Sequence, residues 1–244
     1  MKLLNGATLR TLQFGSIALA TSALVACGGG TNSGGAPVGK VSGTAAVGAA
    51  LANASITLTC KNGSGSATAD SNGAYSATFA FDGPCTITAN GGAITIHSFA
   101  AGAGTFNVTP LTELLLDYIA GQLGTSVSGL LAGINSNPSF QSALSSSTVI
   151  ANAQAAIVKL IKDTYGITLS SSSFLTVSFT PGAAGADADL ETLLAAGAIT
   201  SNGQPAASLA AAAQAAGAAA PISGGGNGAT GGTGGSGGTG VSTK

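Results

Sequence analysis

The chain contains 244 residues, of which 6% are charged and 5% aromatic, and it carries a formal net charge of −1 with no tryptophan. An ordinary soluble domain has roughly 25% charged residues, so side chains able to act as acids, bases or metal ligands are scarce here. No basic patch is present, and nucleic-acid binding therefore lacks the positive surface that it requires. The composition favours an exported or surface protein with a small core and no nucleic-acid partner.

An apolar segment near the start of the sequence is typical of a secretory signal. Lys2 and Arg10 supply its positive charge, and the uncharged run at residues 14–26 is shorter than the roughly 20 residues needed to span a bilayer. We therefore predict a signal peptide at residues 1–26. Because no later apolar run is long enough to span a membrane, the rest of the chain is expected to be exported.

Residues 24–27 read Leu-Val-Ala-Cys and are followed by three glycines. This tetrapeptide resembles the lipobox of bacterial lipoproteins. The resemblance implies cleavage before Cys27, a lipid on its sulfur atom, and attachment to a membrane of the cell envelope. Gly28 stands where some lipoproteins carry the aspartate that retains them at the inner membrane, so the resemblance further implies the outer membrane. The alternative is an ordinary signal that ends by chance at a cysteine.

A run of short strands is predicted after a flexible, glycine-rich linker at residues 27–39. Residues 40–109 alternate apolar and polar positions over several segments, and turn signals such as Asn62-Gly63 separate these segments. Six or seven strands at this spacing predict a small antiparallel, immunoglobulin-like β-sandwich.

Two cysteines fall on the apolar faces of predicted strands. Cys60 ends the alternating segment at residues 55–60, and Cys85 begins the segment at residues 85–89. An oxidising compartment would let the two thiols pair, and lipidation of Cys27 would account for the odd cysteine count. We predict a Cys60–Cys85 disulfide; two free buried thiols are the alternative.

Three motifs in the strand region occur in a recognisable order: Val-Ser-Gly-Thr at residues 41–44, Leu-Ala-Asn-Ala-Ser-Ile-Thr-Leu at residues 51–58, and Thr-Ala-Asp-Ser-Asn-Gly-Ala-Tyr at residues 68–75. Together they resemble the carboxypeptidase regulatory-like, or transthyretin-like, β-sandwich. In this chain Ala69 separates the threonine and aspartate that are adjacent in the family. The resemblance covers residues 40–109 and implies an accessory fold without an active site, since fold alone does not give function.

A helical region is predicted at residues 110–201. Thr109 is placed to cap the first helix, and Pro110 suits its first position. From residue 202 to residue 244 we expect an Ala/Gly-rich low-complexity tail, whose alanines favour helix but offer little to bury. The fold class is therefore α+β with disordered termini. Apolar residues at helical spacing predict further helices at residues 127–134, 148–165 and 187–196.

Few side chains in the sequence could carry chemistry. His97 is the only histidine, and strand alternation places it opposite the neighbouring isoleucines, as expected of an exposed side chain. Glu113 and Asp117 lie one helical turn apart, a spacing that fits a catalytic carboxylate pair or a solvated helix face. We expect the solvated face.

A second acidic group could supply part of a calcium site: Asp187, Asp189 and Glu191. Their position at the start of a predicted helix also suits the helix dipole, which is the interpretation we favour. We therefore assign no catalytic residue, no metal ligand and no cofactor.

Three functions remain open at this point. The first is a non-catalytic structural or ligand-binding role in the cell envelope, with the membrane as partner through the lipid on Cys27. The second is an accessory subunit of an envelope enzyme or transport complex. The third is an enzyme in its own right, which a pocket joining His97 to an acidic residue at the junction between strands and helices would favour.

Overall fold

The computed structural model describes residues 36–222, which form seven strands followed by six helices. The signal, Cys27 and most of the linker lie outside the described residues, as do residues 223–244. The strands are β1 (Val38–Thr44), β2 (Ser55–Thr59), β3 (Ser64–Thr68), β4 (Ala74–Ala80), β5 (Cys85–Gly91), β6 (Ile94–Ala100) and β7 (Gly104–Thr105). The helices are α1 (Pro110–Gln122), α2 (Val127–Gly133), α3 (Pro138–Ser145), α4 (Ser147–Tyr165), α5 (Ala186–Ala195) and α6 (Ala207–Ala218).

The strands form two mostly antiparallel sheets, which confirms the α+β class. A three-stranded sheet has the order β4-β1-β7, in which β1 pairs antiparallel with β4 and parallel with β7. A four-stranded sheet has the order β3-β2-β5-β6 and is antiparallel throughout. Strict alternation in β2 buries Ile56 and Leu58 completely while the hydroxyl side chains between them face solvent. The buried faces of both sheets contribute to one hydrophobic core.

A disulfide joins Cys60 and Cys85, as the sequence predicts. The register of the four-stranded sheet explains the pairing, because Thr59 of β2 lies opposite Thr86 of β5 and the two cysteines occupy the next positions. The bond therefore links neighbouring strands of one sheet. Both residues are buried, with 5% of Cys60 and none of Cys85 exposed.

The loop after α4 is held to the strands by a buried asparagine, Asn107. Its side-chain oxygen accepts a hydrogen bond from the Thr44 N–H (3.1 Å), and its amide nitrogen donates to the carbonyls of Phe174 (3.0 Å) and Val177 (2.7 Å). Its backbone N–H donates to the carbonyl of Leu175 (2.7 Å). Each polar group of this buried side chain therefore has a protein partner, as buried amides require.

The start of α1 differs in detail from the prediction. Thr109 occupies the N-cap position, but its hydroxyl is buried without a hydrogen-bond partner. The Thr112 hydroxyl instead accepts the Thr109 backbone N–H (3.0 Å). Only one of the two hydrogen bonds of a capping box is therefore present, from the N-cap backbone to the side chain at the third helical position.

In the segment predicted to be a tail from residue 202, the alanines form the helix that their propensity favours, but this helix is packed against α1. Helix α6 crosses α1 so closely that a Cβ at Gly217 would lie 1.9 Å from the Tyr118 carbonyl oxygen, and one at Gly121 would lie 2.1 Å from the Gln214 carbonyl oxygen. Glycine and alanine permit this approach, since larger side chains would separate the two backbones. The core contribution of α6 comes from Leu209 together with Ala213.

The remaining helices lie close to their predicted positions, except that α3, which begins at Pro138, lies where no helix was predicted. Its cap is Asn137, whose side-chain oxygen accepts the Ser139 N–H (2.9 Å). Within residues 36–222 no single helix is long and apolar enough to cross a bilayer, although α3 and α4, bent by 72°, meet that test as a pair.

Candidate functional site

Strand β6 lies at one edge of the four-stranded sheet, and the first turn of α1 binds that edge. The backbone N–H of His97 donates to Glu113 Oε1 (2.6 Å), and the Thr112 hydroxyl donates to the His97 carbonyl (2.8 Å). At His97, the polar backbone groups that an edge strand would leave unpaired are thereby satisfied by helix side chains. This docking places the imidazole of His97 beside the helix.

His97 and Glu113 form a close pair, with 2.9 Å between His97 Nδ1 and Glu113 Oε1. The hydrogen bond to Glu113 raises the pKa of the imidazole, burial opposes this rise, and the negative charge of Glu113 adds to it. The side chain of Glu113 is 7% exposed and that of His97 30%. The prediction of a solvated helix face is therefore wrong at Glu113, and His97 is half-buried rather than exposed.

The physical reason for this difference is that α1 is covered on more than one face. The apolar stripe of α1 meets the core as expected, but β6 packs against its N-terminal turn and α6 along its length. Almost every residue of α1 is consequently buried. Sequence periodicity shows which face is most apolar, and it does not show whether a second element covers the opposite face.

Asp117 lies one turn beyond Glu113 and is half-buried. Burial, followed by the negative charge of Glu113, raises its pKa to about 7. No hydrogen bond or ion pair joins its carboxyl group to another of the described residues. The protein therefore keeps a carboxyl group in an environment that disfavours its charge, without supplying a compensating partner.

These three side chains line one cleft of about 520 Å³, a volume within the range of about 300–1,000 Å³ typical of small-molecule sites. The titratable groups occupy one part of the lining, and the rest is mainly apolar. Neither lysine nor arginine is among the lining residues, which are His97, Glu113, Asp117, Val127, Ser128, Leu131, Gln204, Pro205 and Ala210.

Gln204 is a cleft residue that the sequence analysis missed, because it lies in the predicted tail. Its amide nitrogen donates to the carbonyl of Thr95 in β6 (2.8 Å), which fastens the segment before α6 across the cleft. A turn stabilises this segment, in which the Thr200 N–H donates to the Gln204 carbonyl (2.8 Å). The sequence Ser201-Asn202-Gly203 signals the turn, but nothing local signals its contact with β6.

The two aspartates of the second acidic group bind neighbouring loops, whereas its third member, Glu191, is exposed. Asp187 is buried, and its Oδ2 accepts the Gly182 N–H (2.6 Å), while Asp189 Oδ2 accepts both the N–H (2.8 Å) and the hydroxyl (2.6 Å) of Ser170. These bonds fasten two loops to the start of α5. Among residues 36–222 no group of three or more His, Cys, Asp or Glu side chains could hold a metal ion.

The structure thus brings His97, Glu113 and Asp117 together and leaves Asp187 and Asp189 apart from them.

Comparison with known proteins adds no assignment: no protein-family model matches the chain, and no curated protein or solved structure is significantly similar to it. Function must therefore be inferred from the chemistry of the chain's own residues.

Proposed function

We propose that the protein is an exported lipoprotein, anchored in the cell envelope through Cys27, whose cleft binds a small ligand without catalysing a reaction on it. The observation that carries the binding role is the unpartnered carboxyl group of Asp117 in a cleft of about 520 Å³. A group whose pKa is shifted by burial and by a neighbouring charge marks a candidate functional site. A bound ligand would supply the hydrogen-bond or charge partner that the Asp117 carboxyl group lacks among the described residues.

The proposed anchor is supported by the Leu-Val-Ala-Cys sequence at residues 24–27 and by the glycine-rich linker that follows it. We further propose that the two sheets form a transthyretin-like β-sandwich, with Cys60–Cys85 stabilising it. Support for this assignment comes from the motif order at residues 41–75 and from the seven short strands. This fold carries the cleft at its junction with the helices.

An accessory role in a larger complex has less support. Such a role would be favoured by a flat apolar surface. Among residues 36–222 the large hydrophobic side chains that are exposed are Val38 (76%) and Leu194 (39%). These two isolated residues do not mark an interface.

Replacing Cys27 with serine is expected to abolish lipid labelling and release the protein from the membrane fraction. The reason is that the lipid on Cys27 is the proposed anchor, and no single helix among the described residues is long and apolar enough to cross a bilayer. Incorporation of labelled palmitate and fractionation of envelopes measure the effect, with Ser33→Ala in the linker as the control. Unchanged membrane retention in the Cys27→Ser protein would show that the proposed anchor is wrong.

Filling the cleft is expected to remove the bound ligand. Ser128 lines the cleft, is exposed and lies in the first turn of α2, so Ser128→Trp places a bulky ring there without disturbing the core. The control Ser142→Trp adds the same ring to an exposed position of α3, away from the cleft. Full-length protein purified from envelopes is denatured, and the released small molecules are compared by mass spectrometry. A compound present with wild type and Ser142→Trp but absent with Ser128→Trp supports binding; equal release from all three contradicts it.

The cleft joins His97 to Glu113 and Asp117 where strands meet helices, the arrangement named above as favouring an enzyme, so acid–base catalysis is the second candidate. Asp117 has a pKa of about 7, close to the value at which a carboxylic acid transfers protons most effectively at neutral pH, and the His97–Glu113 pair lies in the same cleft. The two functions predict different fates for the released compound. A bound ligand returns unchanged after incubation with fresh protein, whereas a substrate is converted to a product of different mass or structure.

A further inference from the structure

We propose that the cleft selects a primary ammonium ion that carries a short apolar chain, with Asp117 as its counter-ion. This inference rests on the proposed binding function and specifies its ligand class. It follows from three properties of the lining: the sign of its charge, the hydrogen-bond acceptors that are left over, and the apolar character of the remaining wall.

The charge of the lining favours a cation. Of its two acidic residues, Glu113 already accepts two hydrogen bonds from His97, whereas Asp117 has no partner among the described residues. The two lysines of α4 do not bond to Asp117. Lys159 bonds to Asp163, and Lys162 bonds to Thr168. An anionic ligand would meet two carboxylates and no lysine or arginine in the cleft.

The remaining acceptors suit an ammonium group, which has three hydrogen-bond donors and no acceptor. Besides the Asp117 carboxylate, the lining contains the Ser128 hydroxyl and the side-chain oxygen of Gln204. The amide nitrogen of Gln204 is used by the Thr95 carbonyl, which leaves its oxygen as an acceptor. The lining therefore offers acceptor oxygens from three side chains, of which the Ser128 hydroxyl also bonds to Ser126 Oγ (3.0 Å).

The rest of the wall suits a short apolar chain and argues against a quaternary ammonium. Its apolar members are all aliphatic: Val127, Leu131, Pro205 and Ala210. Aliphatic side chains remove a hydrocarbon chain from water without any specific geometry. Quaternary ammonium groups are recognised mainly by the faces of aromatic rings, and none lines this cleft.

Binding should strengthen as pH rises through neutrality. The titratable groups that face Asp117 are Glu113 on α1 and His97 on β6; the lining residues from α2, α6 and the 204–205 segment carry no charge. With a pKa of about 7, Asp117 is mostly protonated at pH 6 and mostly ionised at pH 8. An alkylammonium ion keeps its charge throughout this range, so its affinity should rise about tenfold.

Isothermal titration of the full-length protein in detergent with n-butylammonium chloride tests this inference. We expect binding at pH 8 to be at least about tenfold tighter than that of 1-butanol and of tetramethylammonium, and tighter than at pH 6. Asp117→Asn removes the charge while keeping the shape and should weaken butylammonium binding about tenfold or more. The matched control is Asp163→Asn, which alters an exposed ion pair away from the cleft and should leave the affinity unchanged.

The inference is overturned if butylammonium binds no better than 1-butanol, or if its affinity is the same at pH 6 and pH 8. The pH comparison uses wild-type protein, so it stays decisive if the Asp117→Asn chain does not fold. Failure of the ammonium proposal can be distinguished from failure of the proposed binding function. A released compound that disappears with Ser128→Trp but contains no amine would keep the cleft as a binding site and reject the ammonium ligand.

Discussion

Replacing Asn107 with leucine is expected to lower the free energy of unfolding by about 3 kcal/mol or more. The side chain makes three hydrogen bonds in a buried position, to the Thr44 N–H and to the carbonyls of Phe174 and Val177. Leucine fills a similar volume but leaves these three backbone groups unpaired, and each buried unpaired group costs about 1–3 kcal/mol. The loop containing Phe174 should also detach from the strands.

Urea unfolding followed by circular dichroism measures this loss. The control is Asn152→Leu, the same substitution at an exposed position of α4, which should change the free energy of unfolding by less than about 0.5 kcal/mol. Hydrogen exchange at residues 174–177 reports the loop separately, and it should increase only in the Asn107→Leu protein. Equal losses of stability for the two variants would show that Asn107 does not connect the loop to the strands.

Removing the disulfide is expected to lower the free energy of unfolding by about 3.5 kcal/mol. The two cysteines are 25 residues apart, and closing a loop of that length restricts the unfolded chain by about this amount. A fall of this size corresponds to a melting temperature lower by roughly 10 °C in a domain of 150–250 residues. The effect should be large because aromatic residues make up only 5% of the chain and most of the buried core side chains are aliphatic.

Thermal unfolding of wild type and of the double variant Cys60→Ala/Cys85→Ala measures this effect, with and without a reducing agent. The reductant should destabilise the wild-type protein only, since the double variant contains no such bond to reduce. The wild-type protein is unfolded and refolded in the reducing agent before the measurement. A melting temperature that does not fall after this treatment would contradict the link between the two strands.

The features that could be predicted from the sequence are local ones. Residues 55–60 alternate because every second side chain of a strand faces the core, so the buried face and the direction of Cys60 follow from the pattern itself. Helix α4 shows its apolar face and its C-terminal Gly166, which adopts a left-handed conformation with φ 73°. In both cases residues a few positions apart determine the outcome.

The cleft could not be predicted because its residues meet through tertiary packing. His97 and Glu113 are 16 residues apart, and each has an ordinary explanation in its own element, as a strand side chain and as a residue of a helix first turn. Gln204 joins them only because α6 packs on α1. The alanines of α6 indicate helix propensity but carry no apolar periodicity, since they and Gly217 contribute by permitting close approach rather than by filling space.

The contact between α1 and β6 has a further consequence for colloidal behaviour. A chain with 6% charged residues has little electrostatic repulsion to keep copies apart, and attachment to a membrane would crowd them. Unpaired strand edges are the usual starting point for intermolecular β-pairing. Thr112 and Glu113 occupy one such edge at His97, and the opposite edge of the same sheet is β3, only five residues long and composed of Ser-Gly-Ser-Ala-Thr. We expect these hydrogen bonds and the short polar edge strand to limit such pairing, a role that charged side chains fill in many other proteins.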